Sequence, residues 1–222
     1  MKMSILCAAL TAALLAATPA LQAQNRPAAS AAQATSAGTE VMAASSRIIQ
    51  TLQTRKAEFR SNRPALRQYI DGELNRSFDR TYAARLVLGV HSRGASDAQI
   101  QLFADAMADN LMGRYGDALL EIEGRPRFRL KGESPLPGNR GVKVSTELLR
   151  NGAESTPVDY LMRQVDGRWK IFDVMIEGIS YVQTFKNQFD APLRQKSIKQ
   201  VATELRSGSM QANAGPAAPR GK

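Results

Sequence analysis

The chain has 222 residues, with 30 Lys and Arg against 20 Asp and Glu for a formal net charge of +10. That is enough for one sizeable domain with tails, and it favours anionic surfaces. One cysteine, Cys7, and one histidine, His91, exclude a disulfide framework and a Cys/His metal centre.

The first 23 residues have the three regions of a secretory signal peptide. Lys2 supplies the charge, Ile5 to Ala17 the apolar run, and Leu21-Gln22-Ala23 the small-residue cleavage site. The run is shorter than the roughly 20 apolar residues a spanning helix needs. Cys7 lies at the start of the run, which is the wrong place for lipid attachment. Cleavage after Ala23 predicts an exported chain without cysteine, held together by its core alone. Outside the cytoplasm the anionic surfaces it meets are lipid headgroups or acidic proteins, not nucleic acid. Residues 24–39 and 207–222 are rich in Ala, Ser, Gln, Gly and Pro without periodicity, which predicts disordered tails around one domain at 40–206.

Helical spacing governs the first half of that domain. Val41, Ile48, Leu52 and Phe59 predict one helix to about Arg60. Pro64 suits the first turn of a second, with Leu66, Tyr69, Ile70 and Leu74 as its stripe. A third covers Phe78 to Leu88 and stops at Gly89. Ser96 and Gln99 form a capping box for the fourth. It carries Ile100, Phe103, Met107, Leu111, Tyr115, Leu119 and Ile122, a length of about 40 Å at 1.5 Å per residue.

After Gly124 the period becomes two. Arg125, Arg127, Arg129 and Lys131 alternate with Pro126, Phe128 and Leu130, a strand with a one-sided basic row on what Pro126 marks as an edge. Val142 to Leu149 and Val158 to Val165 follow, joined around Asn151-Gly152. Asp166-Gly167 then opens a strand, Trp169 to Glu177, that is apolar on both faces and so reads as central and covered on both sides. Alternation puts Trp169, Ile171, Asp173, Met175 and Glu177 on one face and Phe172, Val174 and Ile176 on the other. Val182, Phe185 and Phe189, then Ile198, Val201 and Leu205, mark two closing helices.

The order predicts an α+β fold: a four-stranded antiparallel sheet wrapped by N- and C-terminal helices, with the long helix laid across it to make a cone around an apolar pocket. The expected lining is Val87, Met107, Leu111, Tyr115 and Phe185 from helices, and Val144, Tyr160, Met162, Ile171 and Met175 from the sheet.

Trp169-Lys170-Ile171-Phe172-Asp173-Val174 followed by Glu177-Gly178-Ile179-Ser180 resembles the MlaC or toluene-tolerance auxiliary family. Phe78-Asp79, Val87-Leu88-Gly89 and Tyr115-Gly116-Asp117-Ala118-Leu119 stand in that family's order and spacing. His91 and Ser92 replace the aromatic residues that usually follow the Val-Leu-Gly, and Phe172 stands where Tyr is frequent. The resemblance implies a cone of the nuclear-transport-factor-two type holding phospholipid as cargo, with no cofactor. It also implies a monomeric periplasmic carrier between an outer-membrane lipoprotein and porin complex and an inner-membrane ABC transporter, serving outer-membrane lipid asymmetry. Three alternatives stand beside it. One is an isomerase-like enzyme of the same cone using Asp173 or Glu177 as base. The others are an interaction module that uses the basic row, and a relative that carries hopanoids. His91 without a Gly-x-Ser-x-Gly or His-Glu-x-x-His motif reads as a surface residue.

Overall fold

Serine, asparagine and aspartate begin nearly every helix of the fold by closing the first free backbone N–H groups with their own side chains. In the computed structural model, which describes residues 36–121, 126–150, 152 and 154–214, Ser36 caps α1 (Ala37–Thr54). Asn62 caps α3 (Arg63–Ser77), with Pro64 in its first turn, and Asp79 caps α4 (Arg80–Leu88). The Ser96–Gln99 capping box opens α5 (Asp97–Leu120). Ser180 caps α6 (Tyr181–Gln195), and a second capping box, Ser197 with Gln200, opens α7 (Ile198–Ser207). The expected signal peptide, the first part of the linker, Arg125, Asn151 and the last residues of the tail lie outside the described residues.

The first expected helix is two. It breaks at Arg55, which has φ −103° and ψ 16°, and restarts as α2 (Lys56–Ser61). The break lets Phe59 bury fully in a cluster with Leu52, Leu66 and Leu120.

Among the described residues five strands form one antiparallel meander in chain order: β1 (Arg127–Pro135), β2 (Val142–Leu149), β3 (Thr156–Val165), β4 (Arg168–Ile176) and the two-residue β5 (Ile179–Ser180). The expected count of four missed β5. Asp166-Gly167 and Glu177-Gly178 join strands through consecutive positive φ values of 50° and 74°, and 52° and 80°, the primed turn that matches strand twist.

β4 is not central. It pairs with β3 along its length but with β5 only at Met175 and Ile176. The rest of its outer edge meets the α3–α4 junction, where Phe78 bridges to Ile171 and the Asp79 amide donates to the Ile171 carbonyl at 2.8 Å. Helices α3 and α4 cover this edge.

A β-bulge also corrects the expected alternation. Ile171 faces Met162 and Asp173 faces Leu161, which leaves Phe172 without an opposite residue. Directly opposed residues share a face, so Trp169 and Ile171 lie with Val174 and Ile176, while Asp173 and Met175 turn to the other face.

The helix that covers the sheet is α1, not α5. Ala37 and Val41 pack on Val144, Met162 and Ile171. Gly38 permits the approach: a Cβ there would stand 2.7 Å from the Glu133 carboxylate and 3.0 Å from Leu130, whereas its amide now donates to Glu133 at 2.9 Å. Residues 36–39, expected as linker, are therefore part of the folded unit. So are residues 208–214, expected as tail, where Ala212 and Ala214 are buried. α5 instead forms the centre of the helical layer, against α4 and α7.

Candidate functional site

An apolar cavity of about 430 Å³ lies between α3, α4, α5, α6 and β4. Its wall takes Ile70 and Leu74 from α3, Ala83, Ala84 and Val87 from α4, and Phe172, Val174 and Ile176 from β4. α6 adds Tyr181, Val182 and Phe185, and Ala214 closes one part. α5 contributes the longest stretch, from Ala104 through Met107, Ala108, Leu111, Met112, Tyr115 and Gly116 to Leu119. The void follows from residue size. Ala83, Ala84, Ala104 and Ala108 line it with single methyl groups, whereas close packing is the rule for protein interiors.

Of the expected lining residues, Val87, Met107, Leu111, Tyr115 and Phe185 are at this wall. Val144, Tyr160, Met162, Ile171 and Met175 are not. The first four are roofed by α1, which fills the sheet's inner face with Ala37 and Val41. Burial there, against a hydrogen bond with Ser45, pushes the Tyr160 hydroxyl up to about 12. Met175 is half-buried on the other face of β4 and does not reach the wall. The stripe of α3 marked Ile70 and Leu74 as inward-facing without marking them as cavity wall, and Phe172, Val174 and Ile176 carried only their apolarity, because which helix roofs the sheet is not encoded in periodicity.

Arg80 and Asp173 are the charged residues at the wall. Arg80 is paired with Asp105 at 2.8 Å and donates to the Asn75 side chain. Asp173 accepts from the Ser180 hydroxyl at 2.5 Å and from the Val182 amide at 3.0 Å, so it ties β4 to the first turn of α6. Burial pushes its carboxyl up from the usual 3.8, while Ser180 and the backbone amides of Val182, Val174 and Tyr181 pull it down. Glu177 is exposed in the β4–β5 turn and does not line the cavity. The two carboxylates expected on one face therefore do not form a pair. Asp173→Ala leaves the Val182 N–H without its partner and is expected to cost about 1–3 kcal/mol of stability in urea unfolding. Because the folded-state carboxyl is raised, its titration stabilises the fold below about pH 3.8 and that contribution is lost as pH rises through the folded value. Asp173→Asn should remove that part of the pH dependence.

His91 is half-buried, not a free surface residue, and pairs with Asp190 at 3.1 Å away from the cavity. No group of three or more His, Cys, Asp or Glu among the described residues is placed to hold a metal ion. Nor is any described helix long and apolar enough to cross a membrane.

The basic row lies on the edge strand β1, with Arg125 outside the described residues. Arg127, Arg129 and Lys131 are exposed, but the row is not bare. Glu147 of β2 pairs with both Arg129 and Lys131, the latter at 3.1 Å, and these cations hold its carboxyl below the usual range. A bulge at Lys131 interrupts the alternation that made the row one-sided.

The family model for the MlaC protein matches residues 42–207, most of the folded unit. The chain belongs to the MlaC family. It is 28% identical over 152 residues to the toluene tolerance protein Ttg2D of Pseudomonas putida, covering 67% of this chain and 69% of that protein. It is 20% identical over 171 residues to the intermembrane phospholipid transport system binding protein MlaC of Haemophilus influenzae, covering 76% and 79%. Among solved structures, a phospholipid-binding protein from Ralstonia solanacearum, determined in complex with a phospholipid, shares the fold. Its TM-score is 0.68 at 22% identity, over 78% of this chain and 97% of that one. The MlaC match takes in every helix and strand that lines the cavity, but neither the first residues of α1 nor the segment 208–214.

Proposed function

We propose that this MlaC-family chain is a periplasmic phospholipid carrier without enzymatic activity, which moves lipid between an outer-membrane lipoprotein and porin complex and an inner-membrane ABC transporter. The observation that carries the reading is the cavity, whose wall is apolar except for two charged residues already engaged by partners. The relatives' names and the Ralstonia solanacearum complex support phospholipid as cargo, and the leader-like first 23 residues support export.

Desolvation supplies the mechanism. Burying a methylene is worth about 0.8 kcal/mol, so chains with roughly 30 methylenes represent on the order of 20 kcal/mol gross. Such a cargo does not leave into water. Release requires docking on a partner that offers another apolar site, so cavity and docking surface work together. Mass spectrometry of an organic extract of the purified protein is expected to find phospholipid. A protein that carries none, and takes none up from vesicles, sinks the reading, and a polycyclic lipid in the extract would assign it to hopanoids.

Docking through the β1 edge is part of the proposal. Arg127→Glu with Arg129→Glu should slow lipid delivery to acidic acceptor complexes at low salt and leave cargo content unchanged, since clustered charge acts mainly on the association rate. Delivery equal to the parent at both low and high salt would reduce the row to a guard against edge-to-edge pairing.

A further inference from the structure

Beyond α7, residues 208–214 stay on the domain. Gly208, at φ 77°, ends the helix, and residues 208–214 run back over α5 and α6 as a strap. Side chains hold it. Asn110 of α5 donates to the Leu205 and Met210 carbonyls at 2.7 and 3.0 Å and accepts from the Ala212 amide at 2.8 Å. Gln188 of α6 donates to the Gln211 carbonyl at 2.6 Å and accepts from the Asn213 amide at 3.0 Å. The Ala214 amide donates to the Tyr115 hydroxyl at 3.2 Å, and the Arg114 guanidinium bonds the Gln211 side chain.

The strap is therefore a wall of the binding site. Ala214 and the Tyr115 ring that carries its hydrogen bond both line the cavity, and Ala212 is 0% exposed. Three features make this wall separable from the rest. It carries no helical or sheet hydrogen-bond ladder along residues 211–214. Apart from Met210, which packs half-buried against the helical core, the side chains it buries, Ala212 and Ala214, are single methyl groups. It also lies past residue 207, where the family match ends.

Size supplies the remaining argument. With the strap in place the cavity holds about 430 Å³, in the lower half of the roughly 300–1,000 Å³ usual for small-molecule sites. A lipid with two chains and roughly 30 methylenes is larger than this void, so either the void widens or part of the cargo lies outside it. The wall that yields should be the one with no hydrogen-bond ladder of its own. We propose that segment 208–214 is a displaceable end wall that sets the size of cargo the cavity accepts and must lift for a two-chain lipid to enter or leave. This rests on the carrier reading above for the identity of the cargo, not for the existence of the wall.

The test uses the otherwise complete chain with Gln188→Ala, which removes two strap bonds from a side chain on the exposed side of α6, and a second variant ending at Gly208. Transfer of a fluorescent phosphatidylglycerol between protein and vesicles is followed alongside thermal melting by circular dichroism. Loss of two bonds of about 0.7 kcal/mol each predicts about tenfold faster transfer for Gln188→Ala, and at least as much for the shortened chain, with the helical melt retained. Parental rates in both folded variants overturn the proposal. If the parent takes up no lipid, the carrier reading fails separately, and entry of anilinonaphthalene sulfonate into the cavity then decides the strap. Faster dye entry in the variants supports the wall, and equal entry removes it.

Discussion

Ala108→Trp is expected to empty the cavity and leave the protein folded. Ala108 lies on the α5 face that lines the void, and an indole placed there occupies the space the cargo would take. Overpacking costs about 1–3 kcal/mol where a core is already filled, and less where the new ring enters a gap. Co-purifying lipid should fall to background while the urea midpoint moves little. Met162→Trp is the contrast. Met162 is 2% exposed and packed under α1 against Val144 and Ile171, so the same ring there should destabilise by the full overpacking cost without acting on cargo directly. A folded Ala108→Trp protein with parental lipid content would place the cargo outside this cavity.

Arg47→Ala should strongly destabilise the fold. The Glu73 side chain on α3 is 7% exposed, and its carboxylate takes Arg47 Nε at 3.1 Å and Nη2 at 2.8 Å from α1, with Arg76 no nearer than 3.8 Å. Removing one partner of a buried pair leaves an uncompensated charge, which costs about 3–5 kcal/mol. The expected loss here is about 3 kcal/mol, because the Arg47 side chain is itself about one-third exposed. Replacing both residues with Met should recover most of it, since a paired buried charge and a well-packed apolar pair are close in energy. The consequence reaches function, because this pair fastens α1, the roof of the sheet, to α3, a wall of the cavity. A loss below about 1 kcal/mol for the single variant would show that Arg76 can take over.

Local rules determined much of this protein. The helix starts at Asn62, Asp79, Ser96 and Ser180 follow from side chains that reach their own next turn. β2 spans Val142–Leu149, where the apolar alternation lies, and the Asp166-Gly167 turn adopts the positive φ values its residues favour. The motif residues from Trp169 to Ser180 pointed to the family that the family model also matches. Five helical residues at the cavity wall, Val87, Met107, Leu111, Tyr115 and Phe185, lie on faces that one amphipathic stripe per helix names as inward.

Tertiary structure alone decided the rest, and each case has the same physical root: periodicity says which face of an element is buried but not what buries it. Val144, Met162 and Ile171 are as apolar as cavity residues, yet α1 covers them because Gly38 lets it settle on Leu130 and Glu133. One unpaired residue, Phe172, reverses which face Met175 and Val174 occupy, and a bulge depends on the partner strand's register, not on β4 itself. The basic row lost its isolation to Glu147, sixteen residues from Lys131 along the chain and adjacent only across the sheet. Ala, Gln and Asn in residues 211–214 read as tail, since nothing local orders them; the amides and hydroxyl that hold them belong to Asn110, Gln188 and Tyr115 on two other helices.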